Sequence, residues 1–333
     1  MREFARNLSE SLAEAAAEEP VKRGYGGHSM IAPLKRVLVQ TPAPSLSPDD
    51  AARFGYPHAP NDELALREHA AFVAILAEAG VEIITQEPAP DGLLDSIFVY
   101  DSSFTTDEGV ILTRPGKQVR QPEVALAAKA FADLDIPVIG SIDEPGTLEG
   151  GDMCWLDETI LAVGEGFRSN SAGIDQLAVI LQPLGVDVYR VPLPYWHGEG
   201  ECLHLLSLIS PVDHQTAVVY LPLMPTSFVQ LLRRSNWTLI EVPDEEFESQ
   251  GCNVLALEPG KVLMLKDNPI TRERLEAHDI EVLVYTGDEI SHNRAGGPTC
   301  LTRPILRDTY AEAMAEEEAD EDKSADDASP NGG

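Results

Sequence analysis

The chain has 333 residues, 43% of them apolar and 24% charged, enough for a packed core without staples. Its 24 Lys and Arg stand against 56 Asp and Glu, a formal charge of −32. That balance argues against general nucleic-acid binding and against anionic membrane surfaces, because both rely on basic side chains. Four cysteines with no Cys-x-x-Cys pair do not make a disulfide framework and give a structural zinc site no support. No apolar run nears the roughly 20 residues of a membrane span. The N-terminus has no apolar stretch of signal-peptide type, so a soluble, reducing, cytoplasmic setting is expected.

Residues 1–20 carry Leu8, Leu12 and Ala16 at helical spacing and are expected to form a short amphipathic helix. With the loop that follows they make an N-terminal segment over 1–30. Gly24, Gly26 and Gly27 precede the apolar strand Val37-Leu38-Val39, whereas a phosphate loop follows a strand and opens a helix. From Asp62 to Ala79 the apolar residues recur at three- and four-residue spacing, which predicts a helix ended by Gly80, with a strand from Val81 to Thr85.

The same order then returns as strand, turn, strand, helix, strand. One copy is SIFVYD, GVILTRP, EVALAAKAFADL and PVIG; a second is DMCWLD, TILAVG, AGIDQLAVILQPL and VDVYRVP. A third is HLLSLIS, TAVVYLP, TSFVQLLRRS and WTLIEVP; a fourth is NVLALEP, KVLMLK, TRERLEAHD and EVLVYTG. The fifth is divided between the ends, CLTRPILR joining KRVLVQ and the Asp62–Ala79 helix. A repeat of about 50 residues is too small to bury its own sheet face, so the units must pack on one another. A divided unit brings the ends together and closes a ring. The expected fold is one α/β domain over 31–309, with fivefold pseudosymmetry, sheets inside and helices outside.

Beyond it, residues 310–333 hold nine acids and one base and read as a solvated acidic tail. The remaining charge of −24 fits either solubility or a field that draws in cations.

A polar residue opens the first strand of each unit: Asp152, His204, Asn253 and Cys300, at intervals of 52, 49 and 47 residues. Asp95 and Asp101 flank the corresponding strand of the first unit. Polar residues commonly flank strands, so no single member carries weight. As a set at one phase of a closed ring, they are expected to converge on its axis. Cys300 leaves the Gly-rich approach AGGPTC, and a thiol becomes a useful nucleophile when a His, a cation or the substrate lowers its pKa. Cys154, Cys202 and Cys252 are expected to fill space. His204 is the histidine of an inner strand; His69 lies on an apolar helix face, and the other six fall in loops or helix ends, where solvent contact is the default. Glu201 and His204 make a single Glu-x-x-His, whereas a dimetal bundle needs two. Glu149 and Asp152 bracket Gly150 and Gly151, so one acid could orient an imidazole and the other hold a cation.

The segments LEGGDMCWLD, FRSNSAG, CLHLLSLIS and GGPTCLTRP resemble the guanidino-group-modifying enzymes of the pentein fold. Among these the chain is most similar to the dimethylarginine dimethylaminohydrolases, with arginine deiminases and glycine amidinotransferases as relatives. The resemblance runs from about Lys35 to Arg307 and implies a five-bladed α/β propeller. It further implies Cys300 as nucleophile, His204 as general acid and base, and Glu149 as its carboxylate partner. Asp101 and Asp95 would hold the guanidinium, with Asp152 helping to orient it, and Arg120 and Arg168 would clamp the substrate carboxylate.

The implied reaction is hydrolysis of arginine or a methylated arginine through a covalent thiouronium, giving citrulline and an amine. An amidinotransferase or an arginine deiminase is the alternative. Neither cofactor nor metal is implied. The partner is a small guanidino amino acid, and the sequence leaves room for a homo-oligomer. Two positions depart from the relatives. Leu206 stands where deiminases and amidinotransferases carry an Asp, and Tyr100 replaces an acid found in some dimethylaminohydrolases.

Overall fold

Each apolar run of the repeat becomes a strand, and the strands assort into five three-stranded sheets. The computed structural model describes residues 24–45, 48–200 and 202–308. In chain order the strands are β1 (Leu34–Val39), β2 (Glu82–Thr85), β3 (Ser103–Thr106), β4 (Gly109–Leu112) and β5 (Val138–Ser141). There follow β6 (Met153–Trp155), β7 (Ile160–Glu165), β8 (Asp187–Pro192), β9 (Ile209–Asp213) and β10 (Thr216–Val219). The last are β11 (Thr238–Glu241), β12 (Leu255–Glu258), β13 (Lys261–Leu265), β14 (Glu281–Tyr285) and β15 (Arg303–Arg307).

In every sheet the middle strand runs antiparallel to the first and parallel to the third, with a helix on the parallel crossover. The divided unit closes as expected: β15 pairs with β1 from Leu34 opposite Arg307 to Leu38 opposite Arg303. Helix starts follow the local chemistry. Asn61 caps Asp62–Glu78 by accepting from the Leu64 amide at 3.1 Å, and Asn170 caps Ser171–Leu181 from Gly173 at 2.9 Å.

The middle strands explain why those runs are apolar at every position. Alternate side chains point to opposite faces of a strand, and here each face meets a different neighbouring unit. On β1, Val37 and Val39 join Leu255, Leu263 and Leu265 of the fourth unit, while Leu38 joins Val110 and Ile305. On β7, Leu161 and Val163 face the preceding unit and Ala162 the next. On β10, Ala217 and Val219 pack toward Cys154 and Ala162, whereas Val218 packs toward Val254 and Val262. The five large clusters therefore sit between consecutive units and close the circle, each fully buried Val or Leu contributing about 1.5–3 kcal/mol.

The first strands begin later than expected. SIFVYD, DMCWLD and HLLSLIS are predicted as strands from their first residues, but each opens with a 3₁₀ turn: Leu94–Ile97, Gly150–Asp152 and Leu205–Ser207. Apolar content alone does not separate a tight turn from a strand. Crowding at the axis does: a Cβ at Gly150 would overlap the Tyr100 carbonyl, and one at Gly151 the His204 ring. The recurring polar residues consequently lie in the turns that lead into the strands.

His28, expected in solvent, stacks on Trp155 at 4.4 Å between ring centroids, its Nε2 accepting from the Asp107 amide at 3.2 Å. His69 is buried, as its helix face implied, and burial lowers its pKa to about 4. The helix expected over residues 1–20, Glu201 and the tail over 310–333 lie outside the described residues. Among the described residues no helix is long and apolar enough to cross a membrane.

Candidate active site

The turns before β3, β6, β9, β12 and β15 deliver Asp101, Glu149 with Asp152, His204, Asn253 and Cys300 respectively. Asp101, Glu149 and His204 each present one polar atom within 4.8 Å of the others, and all three are buried.

At the centre, His204 Nε2 lies 2.6 Å from Glu149 Oε2. The same carboxylate accepts from Arg168 through Nε at 2.9 Å and is paired with its Nη2 at 2.9 Å; the Lys117 amide reaches Oε1 at 3.3 Å. Burial works against the charged form of Glu149, but Arg168 and then His204 outweigh it and hold the carboxyl well below the usual range. Burial likewise opposes charge on His204, yet Cys202, Asp101 and Asp152 raise its pKa well above the ordinary value. These neighbours favour the protonated ring, and Glu149 occupies Nε2.

Asp101 accepts from the Gly151 amide at Oδ1 (2.8 Å) and pairs with Arg120 Nη1 at Oδ2 (2.6 Å). Its main chain ties it to the nucleophile candidate, because the neighbouring Tyr100 amide donates to the Cys300 carbonyl at 3.3 Å. Cys300 is half-buried, and its sulfur accepts from Asn253 Nδ2 at 3.2 Å. Burial, then the negative field of Asp101, push the thiol up to about 11, while Asn253 and His204 act in the opposite direction. Asn253 is itself fixed, its Oδ1 accepting from the Thr299 amide at 3.1 Å; a Cβ at Gly297 would overlap it.

The remaining candidates have specific places. Arg120 is 2% exposed, with Nη1 on Asp101 and Nε and Nη2 on Glu123. It faces acids and not open space, in contrast to the clamp expected of it. Asp95 receives Tyr56 Oη and Lys117 Nζ, each at 2.7 Å, and meets Arg120 Nε only at 4.0 Å, so it stands one shell behind Asp101. Asp152 is fully buried, its oxygens taken by Ser169 Oγ at 2.6 Å and the Leu205 amide at 3.0 Å. It therefore braces the turn that carries His204, in contrast to the guanidinium contact expected of it, and burial raises its pKa to about 6.

Ser169 also accepts from the Glu149 amide at 3.0 Å and so couples the two acids. Its place beside Arg168 in FRSN was the available signal. Tyr100 and Leu206 are both buried in the cluster between the second and third units. Cys154 and Cys252 are buried, as space-filling requires, but Cys202 is exposed beside His204, its sulfur 3.6 Å from Nδ1.

Known proteins resemble this chain over most of its length. The family model described as N,N dimethylarginine dimethylhydrolase, eukaryotic, matches residues 48–307. The N(G),N(G)-dimethylarginine dimethylaminohydrolase of Streptomyces coelicolor is 33% identical, covering 84% of this chain and 99% of that one. Its Pseudomonas aeruginosa counterpart is 27% identical, over 81% of this chain and 98% of the other. A solved structure of a P. aeruginosa cysteine-to-serine variant complexed with citrulline superposes with a TM-score of 0.67 at 25% identity, covering 83% of this chain and all (100%) of that one. The chain belongs to the dimethylarginine dimethylaminohydrolase family, within the pentein-fold superfamily of guanidino-modifying enzymes.

Proposed function

We propose that the protein hydrolyses the guanidino group of arginine or a methylated arginine, with Cys300 as nucleophile and His204 as general acid and base. The observation that carries this reading is the His204–Glu149 pair, at 2.6 Å, standing with Asp101, with Asp101 and His204 both acting electrostatically on the Cys300 thiol.

Asp101 has four acceptor sites and spends two on Arg120 and Gly151. It keeps capacity for the N–H groups of a planar guanidinium, through charge-assisted hydrogen bonds. Arg120 holds that carboxylate ionised and fixed. Glu149 engages Nε and Nη2 of Arg168, which leaves Nη1 as the donor toward a substrate carboxylate.

In the free protein the thiol is neutral, with a pKa of about 11. A guanidinium seated on Asp101 places a positive charge beside the sulfur and favours thiolate, the thiol proton passing to solvent. The thiolate adds to the guanidinium carbon. His204 gives its Nδ1 proton to the departing nitrogen, the C–N bond breaks, and an S-alkylthiouronium remains on Cys300. The neutral imidazole then takes a proton from water, which adds to the same carbon. The C–S bond breaks, thiolate is regenerated and the ureido product leaves. Positioning of this kind is worth up to about 7–11 kcal/mol in ideal cases.

Arginine, mono- and dimethylated arginines, agmatine and guanidinoacetate, assayed for ureido product and released amine, test the reading. Citrulline with a stoichiometric amine supports it. Transfer of the amidino group to added glycine or lysine, or no turnover of any of the panel, overturns it.

A further inference from the structure

Cys202 is exposed and belongs to none of the core clusters, yet its sulfur lies 3.6 Å from His204 Nδ1 and 4.0 Å from Nε2. Glu149 occupies Nε2. The sulfur is nearly equidistant from the two ring nitrogens, so it lies against the ring beside Nδ1, off the axis of an Nδ1–H bond. Resting on the reading of His204 as acid and base, we propose that Cys202 is a positioning residue whose thiolate lies against the imidazolium ring as its counter-charge. It thereby holds the imidazolium charged until the substrate's departing nitrogen, which gains a lone pair as the thiolate adds, takes the Nδ1 proton.

The surrounding charges favour that ion pair. Cys202 faces His204 and Arg168 as cations, with Glu149 as the opposing anion. His204 faces Asp101, Asp152 and Glu149 in addition to the sulfur, and Cys300 lies in the same field. Protein mass around the sulfur opposes ionisation, but His204 and Arg168 outweigh it and lower the Cys202 pKa. The two thiols of the cleft are therefore inverted in reactivity: the exposed one is the readier nucleophile toward small electrophiles, and Cys300 stays protonated until substrate binds. Cys202 is not proposed to attack the substrate.

Two measurements test this on the full chain. In the first, iodoacetamide at pH 7 without substrate is followed by peptide mapping. Cys202 is expected to label at least about tenfold faster than Cys300, the effect of a one-unit difference in pKa on thiolate fraction. Equal labelling, or Cys300 first, overturns the proposal. In the second, the alkaline limb of kcat against pH is compared for the parent, Cys202→Ser and Cys202→Asp. Loss of the anion in Cys202→Ser is expected to bring that limb down by about one pH unit, the low end for a charge at this distance because the residue is exposed. Cys202→Asp, which keeps a negative partner, is expected to restore it. A limb unmoved in Cys202→Ser, or equally displaced in both variants, overturns the proposal. The labelling needs no turnover and decides the inference even if no guanidino compound is a substrate. Citrulline formation with an unmoved limb sinks the inference alone.

Discussion

Glu149→Gln keeps the shape of the side chain and removes the charge on which the site converges. The carboxylate is fully buried, accepts His204 Nε2 at 2.6 Å and engages two nitrogens of Arg168 at 2.9 Å. Removing one partner of a buried ion pair costs about 3–5 kcal/mol, much of it the penalty of the charge left behind. At an effective dielectric near 20, the attraction at about 4 Å is itself about 4 kcal/mol, so the two routes agree. Catalysis suffers separately. The amide offers Nε2 no charged partner, so His204 is less firmly held and its protonated form less favoured. General acid–base work of this type is worth about 10²–10⁴ in rate, and a fall in kcat of at least about a hundredfold is expected.

The pH dependence has a definite sign. The folded pKa of Glu149 lies below its unfolded value. Its stabilisation is therefore complete above the unfolded carboxyl value of about 4.3 and is lost as pH falls through the folded one. The stability gap between parent and Glu149→Gln, measured by urea unfolding, is expected to be full at pH 7 and to shrink on acidification below about pH 4. A kcat within about threefold of the parent, with a stability loss under about 1 kcal/mol, the scale of an exposed pair, refutes the reasoning.

Gly151→Ala drives a methyl group into the His204 ring; displacement of about 1 Å is expected to lower kcat about a hundredfold, while circular dichroism shows the fold retained. Asn253→Ala removes the donor 3.2 Å from the Cys300 sulfur, which lowers that thiol's pKa, so the pH profile of Cys300 alkylation is expected to move further up. Asp152 has a folded pKa of about 6, so the unfolded chain, with an Asp value of about 3.9, binds fewer protons between those values. Stability is therefore expected to fall as pH rises from about 4 to 6, and Asp152→Asn to abolish that slope in urea unfolding.

The ring was legible because its physics is local and repeated. Runs such as TAVVYLP are apolar at successive positions because Ala217 and Val219 meet one neighbouring unit and Val218 another. The divided fifth unit announced the pairing of β15 with β1. The common phase of Asp152, His204, Asn253 and Cys300, with Asp95 and Asp101 flanking the corresponding strand of the first unit, was the reason to expect them near the axis. What the sequence did not disclose is which charged side chains pair once gathered there. Arg120 binds Asp101 from 19 residues away, Arg168 binds Glu149, and Cys202 meets a ring two residues on only because a 3₁₀ turn begins there. Such pairings depend on distances of 3 Å or so, whereas periodicity reports only which face a residue occupies. The late start of β3, β6 and β9 has the same origin, since the steric limits at Gly150 and Gly151 come from Tyr100 and His204 in other units.

The central claim is that Cys300 attacks a guanidinium held beside His204, and the bond it would form is directly observable. Parent and His204→Ala proteins are mixed with arginine or a methylated arginine, quenched in acid within a turnover and measured by intact and peptide mass spectrometry. The account requires an amidine adduct on the peptide bearing Cys300, absent from Cys300→Ser. Substrate consumed with no adduct at Cys300 under any quench, or with full turnover by Cys300→Ser, contradicts it.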